Sequence, residues 1–429
     1  MCFPAFVACG SVVARSLLRP VQPGGHDPLV FVMRQPAWVG RALLQCVREH
    51  DWEQPPLGLG PAITGKDQRL LLRAAEDHRV VGCVYRSLKH VPQADPHVLD
   101  MLGALQNRSL RHQLRARADL LSLRKLVNGL NVPWLLFKGP VMAELAYTSR
   151  DLRHYLDLDF LVPRASFPRV LRSLEEAGYG IVMRDWNAAL REQWGEVDLL
   201  SPSGTSVDLH WDPTYHEHIR SRFHVSTDEL FERARLVMIS GASFPTFDPP
   251  DTVIHLSMHA IRTGGSRLQW LKDIERVVAR DQPDWDAVIT RASRWGLSLA
   301  VGVMLGRARA LLGCHVPEEV VRTLVPRTWR ALVVAADRLS PIERSAASGS
   351  LATLVARSTS SDVRSSVVTL IRTTVERTAQ AVRGGDRPES PQDQADVHVR
   401  DAFLDSVARG AGPWRDVEFR TEDGTGAGH

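Results

Sequence analysis

Leu156-Asp157-Leu158-Asp159-Phe160-Leu161-Val162 is the stretch on which the fold turns. Apolar and acidic residues alternate through it, the period-two pattern of a strand with one apolar face. Upstream, Val132-Pro133-Trp134-Leu135-Leu136-Phe137 is a short apolar run and reads as a buried strand. Gly139-Pro140 then opens a helix through Tyr147, with proline in its first turn. Downstream, residues 165–177 form an amphipathic helix that Gly178 stops. Residues 196–200 and 205–211 alternate again, joined by Ser201-Pro202-Ser203-Gly204, which is a hairpin signature. Strand, helix, strand, helix and paired strands predict a small mixed sheet within residues 131–240.

Helical spacing dominates on both sides of this core. It covers residues 38–49, 68–88 and 98–130 before it. After it come 251–262, 266–280, 285–295, 297–312 and 353–382, with Asp248-Pro249 as a cap and first-turn pair. The fold class is therefore α+β, a small sheet core between a helical region over 33–130 and another over 241–385. Residues 1–32 read as a disordered extension, with Met33 a candidate start. Residues 386–429, polar and rich in Gly, Asp and Pro, read as a disordered tail.

Of 429 residues, 53 are Lys or Arg and 49 Asp or Glu, a net charge of +4. Such a balance argues against a nucleic-acid coat and leaves only a local basic site open. The arginines over 108–124 read as a solvated helix face. Five scattered cysteines with no CxxC pair fit a reducing, cytoplasmic location better than a disulfide framework or structural zinc. No apolar run is long enough to span a bilayer, and residues 1–18 make a poor signal peptide.

The chemistry concentrates on the acidic strand. Alternation puts Asp157 and Asp159 on one face, roughly 6–7 Å apart. Carboxylates so close repel unless a cation lies between them, and oxygen ligands favour Mg²⁺ or Mn²⁺. A solvated strand face is the plain alternative. Asp208 in Ser206-Val207-Asp208-Leu209-His210-Trp211 is a third carboxylate, flanked by apolar residues like the first pair. If the two strands are neighbours, the set suits two metals and an in-line phosphoryl displacement. Asp198 alternates equally well and is a possible decoy. Lys138-Gly139 sits between strand and helix, where a backbone can approach a phosphate and a lysine can meet its oxygens, or where the chain simply turns. His255 and His259 are four apart on one helix face. They lack the glutamate of a HExxH site and read as packed histidines or, like His210, as substrate-facing groups. Gly60 to Lys66 has P-loop spacing, but Asp67 stands where the magnesium-binding Ser or Thr should be.

The ordered set LLFKGPVMAELAY (135–147), LRHYLDLDFLV (152–162) and VDLHW (207–211) resembles an uncharacterised nucleotidyltransferase family with the pattern KG…R…DxDLLV…DxHW. That family lies in the DNA-polymerase-β-like superfamily. The likeness continues through Ile254-His255-Leu256-Ser257-Met258-His259 and through Arg267 to Ile274 (RLQWLKDI). The resemblance implies a metal-dependent transferase that moves a nucleoside monophosphate from an NTP, ATP among them, to a hydroxyl or phosphate. The acceptor is a small molecule, sugar or peptide that no residue names. Asp157, Asp159 and Asp208 would be catalytic metal ligands, Lys138 and Gly139 would contact nucleotide, and Arg153 would either contact the triphosphate or make a structural salt bridge. A degenerate nucleotide-binding or scaffolding protein is the alternative; an RNA-end transferase would need a basic surface along 108–124. Asp159→Asn is expected to abolish transfer and leave the metal-free protein as stable as before or more so, by relieving like-charge repulsion.

Overall fold

The computed structural model describes residues 36–48, 65–339 apart from 184, 216, 222, 263, 264 and 266, residue 342, and 393–410. The expectations for residues 1–32, Met33 and 353–382 lie outside the described residues.

Four helices lead in: α1 (Ala37–Val47), α2 (Gly65–Asp77), α3 (Val81–Leu88) and α4 (Pro96–Gly129). The helix expected over 68–88 breaks at His78–Val80, where Arg79 takes a left-handed backbone at φ +55°. Helix α4 starts at Asp95, whose carboxylate accepts from His97 N, with Pro96 in the first turn. Its buried stripe, including Leu102, Leu120, Leu123 and Val127, runs the length of the helix.

The sheet contains β1 (Leu135–Phe137), β2 (Asp157–Leu161), β3 (Gly180–Ile181), β4 (Glu196–Leu200) and β5 (Ser206–His210), in the order β1-β2-β5-β4-β3. Only the β2–β5 pair is parallel; the others are antiparallel, so the sheet is mixed. Helix α5 (Gly139–Val141) runs on from β1 into a π-turn over Met142–Ala146, and α6 (Phe167–Glu176) and α7 (Trp186–Glu192) follow β2 and β3. Leu158 and Phe160 of β2 bury one sheet face, where Trp134 meets Phe160 edge-on at 6.5 Å.

Short helices α8 (Glu217–Arg220) and α9 (Thr227–Glu232) precede a second hairpin, β6 (Arg235–Ile239) and β7 (Ala242–Thr246). This hairpin crosses the expected boundary at 240. Two arginines expected on a solvated face hold it instead: Arg117 donates to Ser240 Oγ at 2.7 Å and Arg124 to the Ser243 carbonyl at 2.9 Å. Then come α10 (Pro249–Arg262), α11 (Leu268–Asp281), α12 (Trp285–Arg294), α13 (Ser298–Leu312), α14 (Glu318–Leu324) and α15 (Arg327–Leu339). Helix α10 is capped by Asp248, which accepts from Asp251 N at 2.8 Å.

The expected disordered tail requires correction. Residues Asp393–Arg409 form a helix, α16, that packs on α6 and α7. Phe403, Leu404 and Val407 are buried there, with Phe403 against Phe167 and Trp186. A polar composition conceals this helix because so few apolar residues anchor it. No described helix is long and apolar enough to cross a membrane. Cys46, Cys83 and Cys314 are buried free thiols.

Candidate active site

The strand register builds the site. Asp159 stands opposite Asp208, and Asp208 opposite Asp198, so three adjacent strands carry a carboxylate in one row. One row along, His210 stands opposite Glu196. Period two places Asp157 on the same face of β2 as Asp159. The opposite face of the same strands is apolar and buried, which holds the register: a one-residue slip would turn the carboxylates into the apolar core and the core residues out of it.

Asp159 is 1% exposed and ion-paired twice, with Lys138 Nζ at 2.5 Å and His210 Nε2 at 3.2 Å from its Oδ1. The other ring nitrogen of His210 lies 2.9 Å from Glu196 Oε2. Burial pushes the Asp159 carboxyl up, but Lys138 and His210 outweigh it and hold the group well below the usual carboxylate range. Burial likewise opposes charge on His210; Glu196 and Asp159 prevail and raise it to about 9. Asp208 goes the other way. Burial, then Asp157, Asp159, Glu196 and Asp198, push it well above its ordinary value. Asp198 is pushed up to about 6 by burial and Glu196, and Asp157 is raised by burial and Asp159.

Among the described residues, two sets can converge on a metal ion: Asp159, Asp208 and His210, and Glu196, Asp198 and Asp208. Within each set the ligand atoms lie within 4.8 Å of one another. Asp208 belongs to both, and Asp157 to neither. Glu196 is absent from the sequence reading, and Asp198 appears there only as a decoy. The alternation Glu196-Val197-Asp198-Leu199 was the signal that marked both. Asp159 Oδ2 is buried without a hydrogen-bond partner. An orphaned oxygen amid crowded carboxylates, all hard donors, fits a divalent cation such as Mg²⁺ or Mn²⁺.

The other candidate residues are placed by different forces. Lys138 has φ +56°, so the strained turn falls on the lysine and aims it at the carboxylates. Gly139 is needed for close packing: a Cβ there would lie 2.9 Å from Tyr155 Cβ and 3.1 Å from the Asp157 carbonyl. Arg153 is buried and donates from Nε and one terminal nitrogen to the two oxygens of Asp273, each at 2.8 Å. Tyr147 donates to the same carboxylate at 2.8 Å. Arg153 thus ties the approach to β2 onto α11. His255 packs edge-on against Phe137 at 5.0 Å, His259 stacks on His255 at 6.4 Å, and Trp270 covers His259 at 5.7 Å. Neither histidine belongs to a metal-capable set among the described residues. Phe137 also lies 5.0 Å from the His210 ring, so this aromatic line ends at the acidic cluster.

No curated protein matches this chain. The crystal structure of an antigenic nucleotidyltransferase-like protein from Paracoccidioides brasiliensis aligns with a TM-score of 0.30 at 14% identity, over 47% of this chain and 93% of that one. That likeness is too loose to carry an argument. The profile of a family described as uncharacterised nucleotidyltransferase matches residues 64–313. This span takes in every strand of the sheet, the acidic cluster and helices α2 to α13, which is more than half of the sequence, and the chain therefore belongs to that nucleotidyltransferase family.

Proposed function

We propose that the protein transfers a nucleoside monophosphate from an NTP to a hydroxyl or phosphate of an acceptor. The observation that carries this is the β2–β5 register, which sets Asp159 beside Asp208 with the Asp159 Oδ2 left unpartnered. Asp157, Asp159 and Asp208 would hold divalent cations, with Glu196 and Asp198 adjoining Asp208. Bound there, Mg²⁺ or Mn²⁺ neutralises triphosphate charge and the charge that develops during displacement.

The chain's own residues supply position and proton transfer. Lys138 releases Asp159 and turns to the phosphate oxygens as a point charge. Gly139 keeps the β1–α5 turn close to β2, and Arg153 holds the approach to β2 through Asp273. Asp208 takes the acceptor hydroxyl proton on a carboxylate oxygen. The acceptor oxygen bonds to the α-phosphorus as the α–β anhydride bond breaks, and pyrophosphate leaves. His210 stays between Asp159 and Glu196 and orients both. His255 and His259 line the aromatic wall beside them. The acceptor is a small molecule, sugar or peptide in the cytoplasm.

A second reading, a nucleotide-binding protein without turnover, draws on the Lys138–Asp159 ion pair, which occupies a carboxylate oxygen that a cation needs. One experiment separates the two. Each labelled NTP is incubated with the full chain, Mg²⁺ or Mn²⁺ and a cell extract. A labelled acceptor that disappears with Asp208→Asn supports the transferase. Binding that tightens with Mn²⁺ and never yields a labelled species supports the second reading.

A further inference from the structure

A second charged cluster lies beside the carboxylates and has the opposite sign. Arg79 occupies the turn between α2 and α3, and Arg267 immediately precedes α11. Their backbones are joined through His78: its carbonyl accepts from Gln269 N and its Nδ1 from Leu268 N, each at 3.3 Å. The same turn faces the approach to β2, where Gln269 Nε2 donates to the His154 carbonyl at 2.9 Å. Arg79 is exposed and lies within Coulombic reach of Asp157, the one carboxylate of the β2 pair outside both metal-capable sets.

The two guanidiniums repel each other. Arg267 is pushed down to about 10, by burial first and then by Arg79. Neither arginine makes an ion pair with a carboxylate among the described residues. Asp77 is near enough to favour the charge on Arg267 but does not pair with it. Arg267 lies over the Trp270 ring, 5.1 Å from its centroid. Arg79 holds a positive φ, a backbone conformation that a side-chain-bearing residue adopts only at a cost. Two neighbouring cations, one on a strained turn, disfavour each other's charge, and a phosphate shared between them would relieve that repulsion.

We propose that Arg79 and Arg267 form a phosphate-binding subsite on the flank of the acidic cluster. It takes a phosphate group carried either by the nucleotide or by the acceptor. The subsite deepens the transferase reading and rests on it for the identity of the anion. Forked guanidiniums suit phosphate oxygens, and the cations bring positive charge where Asp157 alone would repel a phosphate.

Calorimetry on the full chain tests this with Mn²⁺–ATP, Mn²⁺–AMP, inorganic tripolyphosphate and inorganic phosphate as probes. Arg79→Gln and Arg267→Gln should each weaken tripolyphosphate binding roughly tenfold, with Arg79→Lys intermediate and AMP unaffected. Melting temperatures should fall little, because the repulsion removed offsets the lost attraction to Asp157 and the lost contact with Trp270; a purely structural pair would lower them sharply. ATP weakened in parallel identifies the nucleotide's phosphate chain as the occupant. Unchanged ATP binding, with loss of the inorganic phosphate that binds alongside saturating Mn²⁺–ATP, identifies an acceptor phosphate. ATP, tripolyphosphate and phosphate affinities all within twofold of wild type in the double variant overturn the subsite. A wild-type protein that binds tripolyphosphate through these arginines but labels no acceptor overturns the transferase reading alone.

Discussion

Asp159 and Asp208 sit side by side and have opposite electrostatic characters. Asp159 is the anion that the buried His210 and the half-buried Lys138 need; Asp208 is the anion that four neighbouring carboxylates repel. Stability should therefore respond in opposite directions. Asp159→Asn leaves Lys138 and His210 without their shared partner and is expected to cost on the order of 3 kcal/mol in the metal-free protein. This reverses the expectation drawn from the acidic strand alone, which counts only like charges. Asp208→Asn removes a repelled charge, so the metal-free melting temperature should hold or rise. Both variants should lose transfer. Thermal melts in chelator, read beside labelled-NTP assays, check the pair; two melts that shift in the same direction would refute this account of the charges. His259→Ala should leave metal content unchanged and cost about 1 kcal/mol through its lost ring contacts with Trp270 and His255. Stoichiometric zinc in the purified protein that disappears with this substitution would show a ligand role instead.

At the scale of elements, strand β2 and the β1–α5 turn are locked together by a missing side chain. Gly139→Ala forces a Cβ to within 2.9 Å of Tyr155 Cβ, and neither β2 nor its lead-in can yield without moving Asp157. The expected result is a loss of about 1–3 kcal/mol and weaker Mn²⁺–ATP binding. Urea titration and calorimetry measure both, and an unchanged midpoint would show that the turn gives way freely. The strands that carry the carboxylates are legible in the sequence because polar and apolar residues alternate with period two. Hairpin β6–β7 is not, since Leu236-Val237-Met238-Ile239 is apolar on both faces, with Leu236 and Met238 exposed. Nor is the break at Arg79, because a left-handed turn built on arginine has no sequence signal of the kind that Gly or Asn provides.

At the scale of the whole molecule, residues 393–409 return to the helices that flank the sheet. Helix α16 covers α6 and α7 through Phe403, and Phe403→Ala should cost roughly 3–5 kcal/mol. A denaturation midpoint that does not move would mean that α16 contributes little to the fold.

The sequence by itself determined the α+β class, the helices on either side of the sheet, and the acidic face of β2 and β5, because each rests on local periodicity. Tertiary structure decided what periodicity cannot express. Parallel pairing of β2 with β5 put Asp208 beside Asp159, and the β4 register added Glu196 and Asp198. A salt bridge across 120 positions took Arg153 to Asp273. The turn at His78 met the start of α11 and brought Arg79 to Arg267, a pairing of residues nearly 190 positions apart. Charge acts through space, so a residue's partners, and with them its chemistry, are set only when distant segments pack together.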